Sequence, residues 1–213
     1  MVLVRWLQRM KQSRGHGIHS PFAYDLIKNI LRSPYSYYAF QDIEKILTEY
    51  GLDANLITEF NHLSYRLVHH FKPKTILEIN SGKGVNTLFL TAPSGNIHCT
   101  CVEEDAEEVA VAKDLQEKRG IDSEVIPILP AGDKKRYDAI FVNLDDKNQL
   151  SIDTLMEHSH EKSFWVFFPL NSSLGKQFWR NIVKDERARI TFDMKSRGIV
   201  FLQYSRYKLN YFV

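Results

Sequence analysis

From residue 74 onward the chain alternates short apolar runs with helical stretches, and that alternation leaves few folds open to it. The runs at 75–79, 97–102, 125–129, 138–142 and 163–168 are rich in β-branched and aromatic residues, as strands are. Helical stretches at 85–92 and 106–119 separate the first three, the second closed by Gly120. Such alternation implies βαβ units and a parallel sheet. The end differs. Runs at 189–194 and 199–204 are joined only by KSRG at 195–198, too short for a helical crossover, so they are expected to form an antiparallel hairpin.

Before residue 74 the periodicity is helical throughout. Residues 2–12 make a short basic amphipathic stretch. Ser20 and Pro21 read as an N-cap followed by proline at the first helical position, with Phe22, Leu26, Ile27 and Ile30 on one face and a stop before Pro34. Ile43, Ile46, Leu47 and Tyr50 mark a second helix with Gly51 at its left-handed cap. Leu56, Phe60, Leu63, Leu67 and Phe71 mark a third, ending before Pro73. The expectation is one domain: a helical cap over 1–73 on an α/β core over 74–213.

Composition narrows the function classes. The 213 residues are 44% hydrophobic and 25% charged with a formal net charge of +2, a globular balance without the basic excess of a nucleic-acid binder. No apolar run approaches the roughly 20 residues of a membrane span, and charges at Arg5 and Arg9 interrupt the start, unlike a secretory signal. The two cysteines, Cys99 and Cys101, alternate on one strand, poor disulfide partners that read as small core residues. A cytoplasmic protein is expected.

The most informative stretch is ILEINSGKG at 76–84, an apolar strand running into a turn with two glycines and then a helix. Ligands of open α/β sheets sit beyond the carboxyl ends of the strands, where glycine lets backbone approach them closely. A P-loop is excluded because Gly84 follows Gly82-Lys83 and Leu77 stands where its first glycine belongs. A dinucleotide fingerprint lacks its third glycine, with Thr87 in that place, and the terminal hairpin also disfavours it. The E-x-G-x-G-x-G loop of class I methyltransferases is matched at Glu78, Gly82 and Gly84, with Asn80 for the first glycine. The next strand ends at Val102, followed by Glu103, Glu104 and Asp105, where an acid can accept from ribose hydroxyls. A solvated acidic helix start explains the same three residues.

A wider resemblance covers nearly the whole chain. The segments RGHGIHSPF at 14–22, YDLI at 24–27, TILE at 75–78 and TFDMKSRGIVF at 191–201 are similar to a bacterial group of S-adenosylmethionine-dependent methyltransferases related to small-molecule O-methyltransferases. The resemblance implies a Rossmann-like class I methyltransferase fold, a seven-stranded mostly parallel α/β sheet ending in an antiparallel hairpin. It implies S-adenosylmethionine as cofactor, with Glu78, Asn80, Ser81, Gly82 and Gly84 at its methionine part, Glu103 at the ribose and Asn143 beside it. The implied acceptor is a small molecule, with neither nucleic acid nor membrane as partner, and a homodimer is compatible with it.

The departures carry equal weight. Asn80 puts a side chain where the family has glycine. Metal-dependent O-methyltransferases carry an aspartate at the end of the fourth strand, here Asn143, and an Asp-Asn or Asp-Asp pair after the fifth, where this chain has Pro169 and Leu170. With those carboxylates gone no metal site is expected. An acceptor oxygen still needs a base; Asp145 and Asp146 are the candidates, with His16 and His19 behind them. NLDD at 143–146 is unlike the motif of base-amine methyltransferases. The alternative is a catalytically silent methyltransferase fold acting as a binding or interaction module. Tyr35, Tyr37, Tyr38 and Phe40 could form an aromatic lid or a helix-packing patch. His69, His70, His158 and His160 read as surface residues of helices, Trp165 and Trp179 as core, and Lys134–Arg136 as a solvated turn.

Overall fold

A computed structural model describes residues 2–129, 132, 134–144, 150–203, 205 and 207–213. Its helices are α1 (Val2–Gln12), α2 (Pro21–Asp25), α3 (Tyr38–Glu49), α4 (Glu59–Phe71), α5 (Val85–Thr91), α6 (Ala106–Lys118), α7 (Ile152–Glu157) and α8 (Ser173–Lys184). Its strands are β1 (Thr75–Ile79), β2 (His98–Val102), β3 (Ser123–Ile126), β4 (Tyr137–Asn143), β5 (Ser159–Phe168), β6 (Ile190–Asp193), β7 (Gly198–Phe201) and β8 (Leu209–Phe212).

One sheet runs in the order β3-β2-β1-β4-β5-β7-β6-β8. β1 to β5 pair in parallel, and β7 is antiparallel to both β5 and β6, the expected hairpin. Strand order reverses between β1 and β4, so the carboxyl ends of those two strands define the crevice. Both sheet faces are covered, which is why the central strands read as nearly unbroken apolar runs. Ile76, Phe141, Phe164, Ile199 and Phe201 pack on one face against Leu26 and Ile27 and against Phe60, Leu63 and Leu67 of α4. Leu77, Ile140, Trp165 and Val200 pack on the other against Leu155 of α7 and Trp179 and Ile182 of α8.

The N-terminal helices form for the reasons their sequence gives. Ser20 caps α2 by accepting from the Ala23 N–H, and Gly51 takes φ +68° after α3. The helix from Pro21 does not stay α-helical. It widens into a π turn over Leu26–Leu31, with the Arg32 N–H donating to the Ile27 carbonyl at 3.1 Å.

Among the described residues the sheet has eight strands rather than seven. β8 extends the β6 edge in parallel, Tyr211 stacked on Phe192 at 5.1 Å, and four alternating residues are too short a signal to stand out in sequence. That edge also anchors α1: Arg9 pairs with Asp193 at 2.5 Å, and Gln12 accepts from the Phe212 N–H at 2.7 Å. β3 begins two residues before the expected run, leaving Ile128 67% exposed. β5 starts four residues early, with a register shift opposite Tyr137 and Ala139.

The second histidine pair is a correction. His158 is buried at the end of α7 with Nδ1 against the Lys135 carbonyl, and His160 lies in β5 with Nε2 3.0 Å from Asp138. Each ring meets a polar group left over by the strand ends, which helical periodicity could not reveal. Lys135 is likewise not merely solvated: its Nζ donates to Thr100 Oγ1 at 2.9 Å. Cys99 and Cys101 are buried free thiols, and Trp165 and Trp179 are core residues as expected. Tyr37 and Phe40 pack on Tyr65 of α4, while Tyr35 and Tyr38 are exposed. No helix among the described residues is long and apolar enough to cross a membrane.

Candidate functional site

The chain leaves β1 at Ile79 and must turn sharply into α5. Asn80, Gly82 and Gly84 accomplish this with φ of +57°, +54° and +78°. The turn is pinned from below, because the N–H groups of Asn80 and Ser81 both donate to the Val102 carbonyl at the end of β2. Glycine is required at two places. A Cβ at Gly82 would sit 2.8 Å from Glu108 Oε2, and one at Gly84 would meet Gln116 Nε2 at 3.1 Å and the Ala112 Cβ at 3.3 Å. The Ser81 hydroxyl is buried with no hydrogen-bond partner among the described residues, a group poised for a ligand.

Glu78 lies beneath this turn, 3% exposed. Its two oxygens accept from Asn86 Nδ2 at 2.9 Å and Thr87 Oγ1 at 2.6 Å, both on α5. Asn61 of α4 donates in turn to Asn86 at 3.2 Å, tying the helical cap to the strand end. Burial pushes the Glu78 carboxyl up to about 7; the donors from Thr87, Asn86 and Cys101 oppose this, and the charge of Glu103 adds to it.

Glu103 points back at the glycine loop. One oxygen accepts from the Gly82 N–H at 2.8 Å and the other from the Asp105 N–H at 3.0 Å. Asp105 caps α6 by accepting from Glu107 and Glu108. Glu108 itself is raised by burial and by Glu103, with Lys83 pulling the other way. Asn143 presents its carbonyl, which accepts from Asn80 Nδ2 at 2.6 Å and bridges the ends of β1 and β4.

Two connected hollows lie around this bridge. One, of about 260 Å³, is lined by Glu78, Ser81 and Asn86 from below and by Thr58, Phe60 and Phe168 from the side. The other, of about 580 Å³, is lined by Glu103, Glu104, Asp105, Leu144 and Pro169. Asn80, Gly82, Glu108, Asn143 and Phe168 border both, so the two halves form one cleft over the crevice. Among the described residues its lining carries five carboxylates and one lysine, Lys83, a field that favours a cation.

Seven of the expected site residues, Glu78, Asn80, Ser81, Gly82, Gly84, Glu103 and Asn143, thus meet at one place, Gly84 just behind the rim. Asp145 and Asp146 lie outside the described residues. His16 and His19 are exposed on the turn before α2 and line neither hollow. Thr58, Phe60, Asn61, Asn86 and Glu108 were missed. Only Thr58 had a local signal, as the N-cap of α4 in a reciprocal box with Asn61.

No family model matches the chain, and no curated protein does. Solved structures do. An O-methyltransferase from Bacillus cereus in complex with S-adenosylhomocysteine aligns with TM-score 0.60 and 15% identity over 84% of this chain and 95% of its own. An S-adenosylhomocysteine-bound methyltransferase from Podospora anserina gives 0.60 and 13%, over 87% and 97%. The O-methyltransferase TomG from Streptomyces achromogenes, in complex with S-adenosylmethionine, gives 0.54 and 14%, over 84% and 93%. The chain has the Rossmann-like methyltransferase fold.

Proposed function

We propose that this chain is an S-adenosylmethionine-dependent methyltransferase acting on a small-molecule hydroxyl or similar acceptor, without a metal. The observation that carries the reading is the cleft over the β1–β4 crevice, where a glycine turn, a buried acid and an unpartnered hydroxyl converge. The residues present fit the cofactor. Glu78 and the Ser81 hydroxyl would hold its methionine end, while the turn at Gly82 and Gly84 gives it room. Glu103, already fixed by two backbone N–H groups, has lone pairs left for ribose hydroxyls. Bound there, the cofactor supplies an electrophilic methyl group; the protein aligns the acceptor and removes its proton. Asn143 in place of an aspartate and the neutral Pro169-Leu170 support metal-free chemistry. We assign proton removal to Asp145 or Asp146, just after β4. Asp145→Asn and Asp146→Asn should leave cofactor binding intact, and one of them should slow turnover at least about 100-fold.

The first test is the melting temperature with S-adenosylmethionine and S-adenosylhomocysteine. At 100 times the dissociation constant a ligand adds about 2.7 kcal/mol, a rise of roughly 5–10 °C in a chain of this size. Glu103→Ala should lose most of that rise. No rise at millimolar ligand in folded protein would end the reading.

The Asn80–Asn143 bridge favours the second reading, a silent binding module, because it spans the crevice that the cofactor would enter. Asn80→Gly separates the two. Glycine suits φ +57° and offsets the lost hydrogen bond, so stability should change by less than about 1 kcal/mol. Calorimetry should show S-adenosylhomocysteine binding about tenfold tighter once the bar is gone. Undetectable binding in both forms would favour the silent module.

A further inference from the structure

The face of the sheet that carries α4 holds two arginines that nothing so far explains. Arg66 is 7% exposed, on the same stripe of α4 as Glu59, seven residues earlier. Arg197 is half-buried in the β6–β7 turn. β5 and β7 pair with Phe167 opposite Gly198, so the next step sets Arg197 opposite Phe168. Residue alternation then puts Arg197 on the face of Ile199 and Phe201, which pack toward α4. Arg197 therefore sits next to Phe168, whose ring stacks on Phe60 at 4.9 Å and lines the cleft, and its charge acts on Arg66 of α4.

Neither guanidinium makes an ion pair or hydrogen bond among the described residues, and Nε of both is buried without an acceptor. Burial pulls Arg66 down from the usual arginine range, Glu59 acts against this, and the charge of Arg197 adds to it. Burial likewise lowers Arg197, again with Glu59 opposing. Among the described residues Glu59 makes no ion pair with either arginine and instead lies 3.6 Å from His62 Nδ1. Burying an unpaired charge costs several kcal/mol, whereas a pair of arginine forks matches the oxygens of a carboxylate or phosphate.

We propose that Arg66 and Arg197 form an oxyanion-binding site at the edge of the cleft, taking the carboxylate or phosphate group of a small-molecule ligand. Resting on the methyltransferase reading, that ligand is the methyl acceptor, and the site selects anionic acceptors over neutral ones. Arg66 stands six residues past Phe60, about 9 Å along α4, so it can hold one end of an acceptor whose other end reaches the cleft.

The test titrates inorganic phosphate and, separately, acetate into the folded chain at constant ionic strength, reading the melting temperature. The variants are Arg197→Ala, Arg197→Lys and Arg66→Met. At least one anion should give a saturable rise of several degrees in the wild type. That rise should vanish in Arg197→Ala and Arg66→Met and persist in part in Arg197→Lys. Without added anion, Arg66→Met should melt above the wild type, because it removes an unpaired buried charge; a merely structural arginine would give the reverse. The rise from S-adenosylhomocysteine should survive in all three variants and add to that from the anion. No saturable response in the wild type, or an equal one in Arg197→Ala and Arg66→Met, overturns the site. Mutually exclusive binding of anion and S-adenosylhomocysteine overturns the acceptor assignment, since the arginines would then serve the cofactor's own carboxylate. An anion response without any S-adenosylhomocysteine response supports the site and removes the methyltransferase reading alone.

Discussion

Trp165→Ala should destabilise the protein by about 3–5 kcal/mol, lowering the melting temperature by roughly 10–15 °C. Trp165 is fully buried in β5, between β4 and β7, on the face covered by α7 and α8. Its Nε1 donates to Ser159 Oγ at 2.8 Å, and that hydroxyl donates onward to the Leu155 carbonyl at 2.6 Å. Truncation therefore leaves a cavity and takes a donor from a buried hydroxyl that joins β5 to α7. Trp165→Phe retains most of the volume and should cost about 1–2 kcal/mol, mainly the lost hydrogen bond and a smaller void. Urea denaturation measures both. A loss under about 1 kcal/mol for Trp165→Ala would mean that the second layer collapses into the gap and that the packing around β5 is not specific. The effect reaches the site because β5 delivers Phe168, a wall of both halves of the cleft.

What could be read from the sequence follows from the range over which each signal acts. β1, β2 and β4 were found within a residue or two because buried parallel strands must be apolar along their whole length. The hairpin was found because four residues cannot hold a crossover. β8 escaped because Leu209 and Tyr211 are its only inward pair, within a basic, aromatic tail. Half of the site was visible because the turn after β1 is local: Glu78, Gly82 and Gly84 lie within seven residues. The other half is not local. Asn61 reaches Asn86 across 25 positions, and nothing about an asparagine in an amphipathic helix announces that partner. Thr87, which counted only against a dinucleotide fingerprint, proves to be a donor on Glu78. Glu103 fits the ribose position in sequence, yet in the structure it also braces the glycine loop, a role that needs the fold to be seen. Arg66 and Arg197 lie 131 positions apart, and only the return of β7 beside β5 brings Arg197 to the face that α4 covers.

Glu78→Gln should make the protein more stable at pH 8 and weaken its grip on cofactor, two effects with one cause. The folded-state value is raised, to about 7 from 4.5, chiefly by burial, with Thr87, Asn86 and Cys101 donating against that rise. The fold therefore prefers the protonated acid. Its stabilising contribution is full below pH 4.5, declines as pH rises toward 7, and is gone above it. At about 1.4 kcal/mol per unit, the wild type should lose on the order of 3 kcal/mol across that window from this group alone. Glutamine cannot ionise and can still accept from Asn86 or Thr87. The variant should match the wild type within about 1 kcal/mol at pH 5 and exceed it by roughly 2–3 kcal/mol at pH 8. The proposed ligand reverses that preference. A cofactor ammonium beside Glu78 favours the carboxylate, so binding must draw off the proton that burial keeps on. S-adenosylhomocysteine affinity should then rise as pH goes from 5.5 to 8 in the wild type. In Glu78→Gln it should be about tenfold weaker at pH 8 and nearly independent of pH, as expected for a lost charge-assisted contact. Denaturant melts and calorimetry at the same pH values read both halves. A variant no more stable at pH 8 would place water beside Glu78 and return its carboxyl to the ordinary range, while unchanged affinity would move the cofactor's amino group elsewhere in the cleft.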